Sequence, residues 1–111
     1  MALPLVLDHR RHSRRRIFGF MPGRLFTADR RQEFYCRPLD VSPYGLGLFA
    51  EDKLDEIGRE FVLVLAEHEI ELQLVWSTES PGDRFGYRHG FKVKDPTLDL
   101  ERLCREYGYL A

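Results

Sequence analysis

Period-2 alternation is the feature that most restricts how this chain can fold. Ile70, Leu72, Leu74 and Trp76 alternate with Glu71, Gln73, Val75 and Ser77, and Phe85, Tyr87, His89, Phe91 and Val93 alternate with Gly86, Arg88, Gly90, Lys92 and Lys94. Successive side chains of a strand point to opposite faces, so each segment reads as a strand with one buried face. On this reading Trp76 and His89 belong to the core, and Arg88 faces the other way. Clean alternation of this kind is the mark of antiparallel sheets that meet water on one side.

The remaining segments are shorter. Phe61, Val62, Leu63, Val64 and Leu65 form a continuous apolar run, consistent with a strand buried on both faces. Apolar residues over 17–27 (Ile17, Phe18, Phe20, Met21, Leu25, Phe26) are broken by Gly19 and by Pro22 and Gly23, which predicts a bent or bulged strand. Residues 28–31 read as a turn, 32–39 as a second strand and 46–49 as a short third one. Residues 51–58 are polar, with Leu54 and Ile57 as anchors, and read as a loop. The period then changes: Leu100, Leu103, Cys104 and Tyr107 lie at i, i+3, i+4 and i+7, the stripe of an amphipathic helix. Asp95, Pro96 and Thr97 would supply its cap and first turn, and Gly108 its stop. Short strands followed by one helix imply a small antiparallel barrel with a helix packed on it.

At 111 residues the chain is one domain, large enough for a core without disulfide staples. Cys36 and Cys104 have no C-x-x-C partner; buried thiols are the expectation, although a bridge between them is compatible with the sequence. The four histidines lack metal-ligand spacing, so no metal site is expected. No apolar run approaches the roughly 20 residues of a membrane span, and residues 1–7 are too short for a signal-peptide core, with their charges following the apolar run. The expected location is the cytoplasm.

Two stretches remain to be explained. His9, Arg10, Arg11, His12, Ser13, Arg14, Arg15 and Arg16 place five guanidiniums in seven positions, with only Asp8 nearby to neutralise them. Such a cluster waits for an anion, unless it is a solvated basic tail. Residues 1–31 carry eight arginines against Asp8 and Asp29, net +6, while the remainder is −7 and the whole chain −1. A basic arm (residues 1–16) on an acidic body (residues 17–111) suits local recognition of an anion; a general nucleic-acid binder would be basic over a whole face. The second stretch is Asp40, Val41, Ser42, Pro43, Tyr44 and Gly45. It reads as a turn between strands, either shaping the backbone alone or presenting Asp40 and Ser42 to a ligand.

Taken together, an arginine arm before the first strand and Asp40-x-Ser42-x-x-Gly45 after the second resemble the PilZ domain family. Its signature is R-x-x-x-R followed some tens of residues later by (D/N)-x-S-x-x-G. The first half fits two overlapping frames, Arg10 with Arg14 and Arg11 with Arg15, and Arg16 stands directly before the first strand with His12 four residues back. Leu74, Val75 and Trp76 also resemble the family's apolar strand ending in Trp, and residues 86–91 its closing strand. The resemblance implies a six-stranded antiparallel β-barrel, mainly β, with a C-terminal α-helix. It also implies binding of the bacterial second messenger cyclic di-GMP by Arg10, Arg11, Arg14, Arg15, Arg16, Asp40, Ser42 and Gly45. The chemistry suits those residues: guanidinium forks match phosphate oxygens and the guanine O6/N7 edge, and a carboxylate accepts guanine N1–H and N2–H. In the family the arm is mobile when free and closes on the ligand, a change that would be passed to an unidentified effector protein.

An alternative is a PilZ-fold adaptor in pilus or motility machinery that acts by protein contact with little or no nucleotide binding; the presence of the arginines and of the Asp40–Gly45 element counts against it. An RNA or DNA binder is weaker still, given the acidic body. No phosphate loop, nucleophile elbow or metal motif is present, so no catalysis and no cofactor are expected.

Overall fold

A computed structural model describes residues 14–18, 21, 23–79 and 86–110. Among them are eight strands and one helix: β1 (Arg15–Arg16), β2 (Arg24–Thr27), β3 (Glu33–Phe34), β4 (Cys36–Ser42), β5 (Gly45–Ala50), β6 (Glu60–Leu65), β7 (His68–Glu79), β8 (Tyr87–Val93) and α1 (Leu100–Glu106). All strands pair antiparallel in one sheet of order β1-β4-β5-β8-β7-β6-β2-β3.

The mainly β class and the C-terminal helix hold, but the expected six-stranded barrel does not. The described residues form an open sheet of eight strands, with β1 and β3 as its edges. These two strands have two residues each, too few to leave a periodic signal in sequence. Edges this short offer little unpaired backbone to another chain. β1 also lies within the segment assigned to the arm, so the sheet begins two residues earlier than the boundary at residue 17.

The sheet bends around a single core. Leu25 and Phe34 near one edge and Val41 near the other join one buried cluster with Leu46, Leu63, Leu74 and Phe91. Phe61 sits at its centre, edge-to-face with Phe34 at 5.9 Å and with Phe91 at 5.6 Å, a geometry that aligns ring edge with ring face. Bending also brings the start of β2 to β4: a Cβ on Gly23 would lie 3.3 Å from Leu63 Cδ1 and 4.0 Å from Pro38 Cγ.

Three boundaries differ from the periodicity reading. The bent strand expected over 17–27 narrows to β2, and residues 19, 20 and 22 lie outside the described ones. The strand expected over 32–39 divides at Tyr35 into β3 and β4. The helix starts later than Asp95: its N-cap is Asp99, whose carboxylate accepts from Arg102 N–H at 3.0 Å. Such a cap is worth about 1 kcal/mol. Asp95 instead closes a local turn on Thr97. Leu100, Leu103 and Cys104 are buried as the stripe predicts, whereas Tyr107 is the C-cap and exposed. Gly108 follows at φ +80, the left-handed stop expected there. No helix among the described residues is long and apolar enough to cross a membrane.

Candidate functional site: a groove on the outer face of the sheet

Two β-bulges create the site. In the β4–β5 ladder Pro38 pairs Leu48 and the next pair is Asp40 with Gly47, leaving Leu39 as an extra residue. In the β7–β8 ladder Leu74 pairs Phe91 and the next pair is Trp76 with Gly90, leaving Val75 extra. Pro38 and Leu74 face the core. Strict alternation would turn Asp40 and Trp76 inward too; each bulge shifts the parity by one and sends them outward. The expectation that Trp76 is a core residue is therefore overturned: it stands on the outer face beside the exposed Val75.

Two rows of residues then cross the outer face. One row is Arg16, Asp40, Gly47, Gly90 and Trp76. The other is Ser42, Gly45, Lys92 and Gln73, and extending the β1 register by one residue sets Arg14 beside Ser42. The glycines of the first row accept the side chains next to them. A Cβ on Gly47 would lie 2.5 Å from Asp40 Oδ1, and one on Gly90 would fall inside the Trp76 indole. The carboxylate thus leans over one glycine and the indole over the other.

Asp40 is the electrostatic centre. Its carboxylate, only 14% exposed, accepts from Arg14 Nη1 at 2.9 Å and lies 3.4 Å from Arg88 Nη2. The Arg88 guanidinium in turn lies 5.8 Å from the centroid of the Trp76 ring, within cation–π range. Beside this cluster opens a groove of about 740 Å³ whose lining includes Arg14, Ser42, Gly45, Gln73, Trp76 and Lys92, with Tyr44, Ile57 and Val75 giving it an apolar side. That is a size class typical of small-molecule sites.

Of the residues expected to bind a ligand, Arg14, Asp40, Ser42 and Gly45 come together here. Arg15 does not: it pairs in register with the buried Val41, and its guanidinium lies 3.8 Å from Glu101 of α1. Arg16 is exposed in the Asp40 row and forms no ion pair among the described residues. Arg10 and Arg11 lie outside the described residues. The turn expected over 40–45 is tighter than that. Asp40 and Ser42 belong to β4 and Gly45 to β5, so only Pro43 and Tyr44 turn the chain. Gly45 does not serve the turn by a positive φ. It serves close approach, since a Cβ there would lie 3.1 Å from Phe91 O and 3.3 Å from Ser42 Oγ. The turn is fixed from outside: Val93 N–H donates to Tyr44 O at 2.8 Å and Leu100 N–H to Pro43 O at 3.0 Å.

Arg88, Gln73 and Lys92 join the site although periodicity gave them only a place on the outer face. The available signal was Gly47 and Gly90, since glycine inside a strand marks close approach of another group.

Beneath the groove, His89 is fully buried, as expected, but only half satisfied. Its Nε2 accepts the Leu54 N–H at 3.0 Å, which fixes the loop carrying Ile57 and Gly58. Nδ1 must then carry the proton, and it has no hydrogen-bond partner among the described residues. Burial pushes the imidazole pKa down to about 4, with Asp55 opposing the shift. Cys36 and Cys104 are free thiols, each pushed up to about 11 by burial. Compared with known proteins, the chain matches no family model and no curated protein.

Proposed function

We propose that this groove binds cyclic di-GMP in a PilZ-like manner, and that occupancy is read by a partner protein in the cytoplasm. One observation carries the reading: Arg14, Ser42 and Gly45 line one groove, and Asp40 meets Arg14 beside it. The two halves of the sequence motif, twenty-six positions apart at Arg14 and Asp40, are in contact. Of the two arginine frames, the geometry supports Arg10 with Arg14, because Arg15 faces α1.

In the ligand-free protein Arg14 and Arg88 share one carboxylate. A guanine edge offering N1–H and N2–H satisfies Asp40 and releases both guanidiniums toward phosphate, each making charge-assisted hydrogen bonds. Trp76, whose indole covers Gly90, offers an aromatic ring on which a purine stacks. Arginines ahead of β1 would then complete the phosphate contacts. Nothing in this sequence of events makes or breaks a covalent bond, so the protein acts as a receptor.

The test is equilibrium titration of the purified chain with cyclic di-GMP, with GTP and cyclic di-AMP as controls. Trp76 is the only tryptophan, so its fluorescence reports directly on the groove. Selective, saturable quenching is expected; its absence would overturn the receptor reading. The adaptor alternative gains from one observation, the exposure of Tyr44, Ile57 and Val75 along the groove, and it predicts partner binding that cyclic di-GMP leaves unchanged.

A further inference from the structure

The groove extends past the Asp40 corner, and its far side carries a second pair of polar groups. Gln73 on β7 and Lys92 on β8 are directly opposed in the ladder, and both line the groove. The Gln73 amide nitrogen donates to Gly58 O at 3.0 Å. A carbonyl oxygen accepts only from the NH2 end, so the amide orientation is fixed and Oε1 is left as an acceptor. Lys94, two residues on, is committed to Glu60. Lys92 forms no ion pair among the described residues. An acceptor and a cationic donor therefore stand side by side, about 5 Å apart at the backbone. Three strand spacings separate Lys92 from Arg14, roughly 14 Å at the backbone. That spacing leaves room for a ligand with two bases to meet both.

We infer that Gln73 and Lys92 form a second base subsite that reads guanine, so that the groove selects a ligand carrying two guanines. Lys92 donates to O6 or N7, the commonest side-chain contact with guanine's acceptor edge. Gln73 Oε1 accepts from N1–H or N2–H. Adenine offers neither the O6 acceptor nor the N1–H donor, and its amino group would face the ammonium. Between the two corners, Ser42 and Gly45 keep the floor low, and Val75 and Trp76 supply apolar surface. This inference rests on the nucleotide reading of the groove and adds what its far end recognises.

The experiment compares cyclic di-GMP with cyclic GMP–AMP, which keeps one guanine and replaces the other by adenine. Titrations use the full chain, Lys92→Met, which keeps the aliphatic stem, and Gln73→Leu. The unmodified protein is expected to prefer cyclic di-GMP by about tenfold or more. Lys92→Met should weaken cyclic di-GMP binding by about tenfold and leave cyclic GMP–AMP little changed, so the preference collapses. Gln73→Leu should act in the same direction, with melting temperature measured because its amide also holds Gly58. Equal binding of the two ligands by the unmodified protein overturns the second subsite and leaves the receptor reading standing. Equal weakening of both ligands by Lys92→Met makes the lysine a phosphate contact and also overturns base recognition. Failure of both ligands to bind removes the receptor reading, and this inference with it.

Discussion

Two regions of the same outer surface treat charge differently. Toward β6, β2 and β3, three cations each have a carboxylate of their own: Arg24 forks onto Glu33 at 2.9 and 3.0 Å, Arg30 onto Glu69, and Lys94 meets Glu60. Hydrogen bonds from Arg24 and Arg30 hold Glu33 and Glu69 below the usual carboxylate range. Around β4, β5 and β8 the balance fails. Arg14 and Arg88 divide one carboxylate, and Arg16 and Lys92 have no anion among the described residues. The three pairs of the first region are self-contained; in the second, the cations outnumber the carboxylates that meet them among the described residues. Matched surface pairs contribute little to stability and ask for nothing further. An unbalanced cluster in a groove is where an anionic ligand gains most.

The comparison can be tested at three levels. The largest expected effect comes from acid acting beneath the groove. His89 has a folded pKa of about 4 against an ordinary 6.5, so the native state resists the proton that the unfolded chain accepts. Its contribution is fully present above pH 6.5 and is lost as pH falls toward 4, about 3 kcal/mol in all. Urea unfolding across that range should show the loss, and His89→Leu should flatten it. A slope that survives His89→Leu would assign the acid sensitivity to other groups.

Next in size is Gly90→Ala. The added methyl meets the indole of Trp76, and overpacking of this kind costs about 1–3 kcal/mol. A lower unfolding midpoint and a shifted tryptophan emission are expected together. Unchanged emission would mean that Trp76 does not rest on that glycine.

The smallest expected change in stability, and the sharpest contrast, comes from two arginines. Arg14→Ala should lower cyclic di-GMP affinity by about 1–3 kcal/mol, the loss of a charged hydrogen bond, with little change in melting temperature. Arg24→Ala, in the matched region, should alter neither within error. Equal losses of affinity in both variants would reduce the groove to diffuse electrostatics and erase the distinction between the regions.

Much of this could be read from the residues in order. Alternation placed His89, Phe91 and Val93 of β8 inward and Arg88, Gly90 and Lys92 outward, as observed. The helical stripe found Leu100, Leu103 and Cys104, and the Asp40–Gly45 element marked the right hairpin. These are local matters, fixed by the period of a strand, the pitch of a helix and the chemistry of a turn. What failed was parity. A bulge adds one residue on one strand only, and its presence depends on how the partner strand pairs, so counting along β7 alone sends Trp76 to the wrong face. For the same reason the arginine run could not say which of its members faces Asp40; that waited on the pairing of Arg15 with Val41. The number of strands was also beyond the sequence, because β1 and β3 exist only as short partners of longer neighbours. By itself the sequence determined which segments extend, which one coils, and that a basic arm and a polar hairpin both need an explanation. Only the tertiary structure decided which side chains share a face, because cross-strand register is a property of two strands at once.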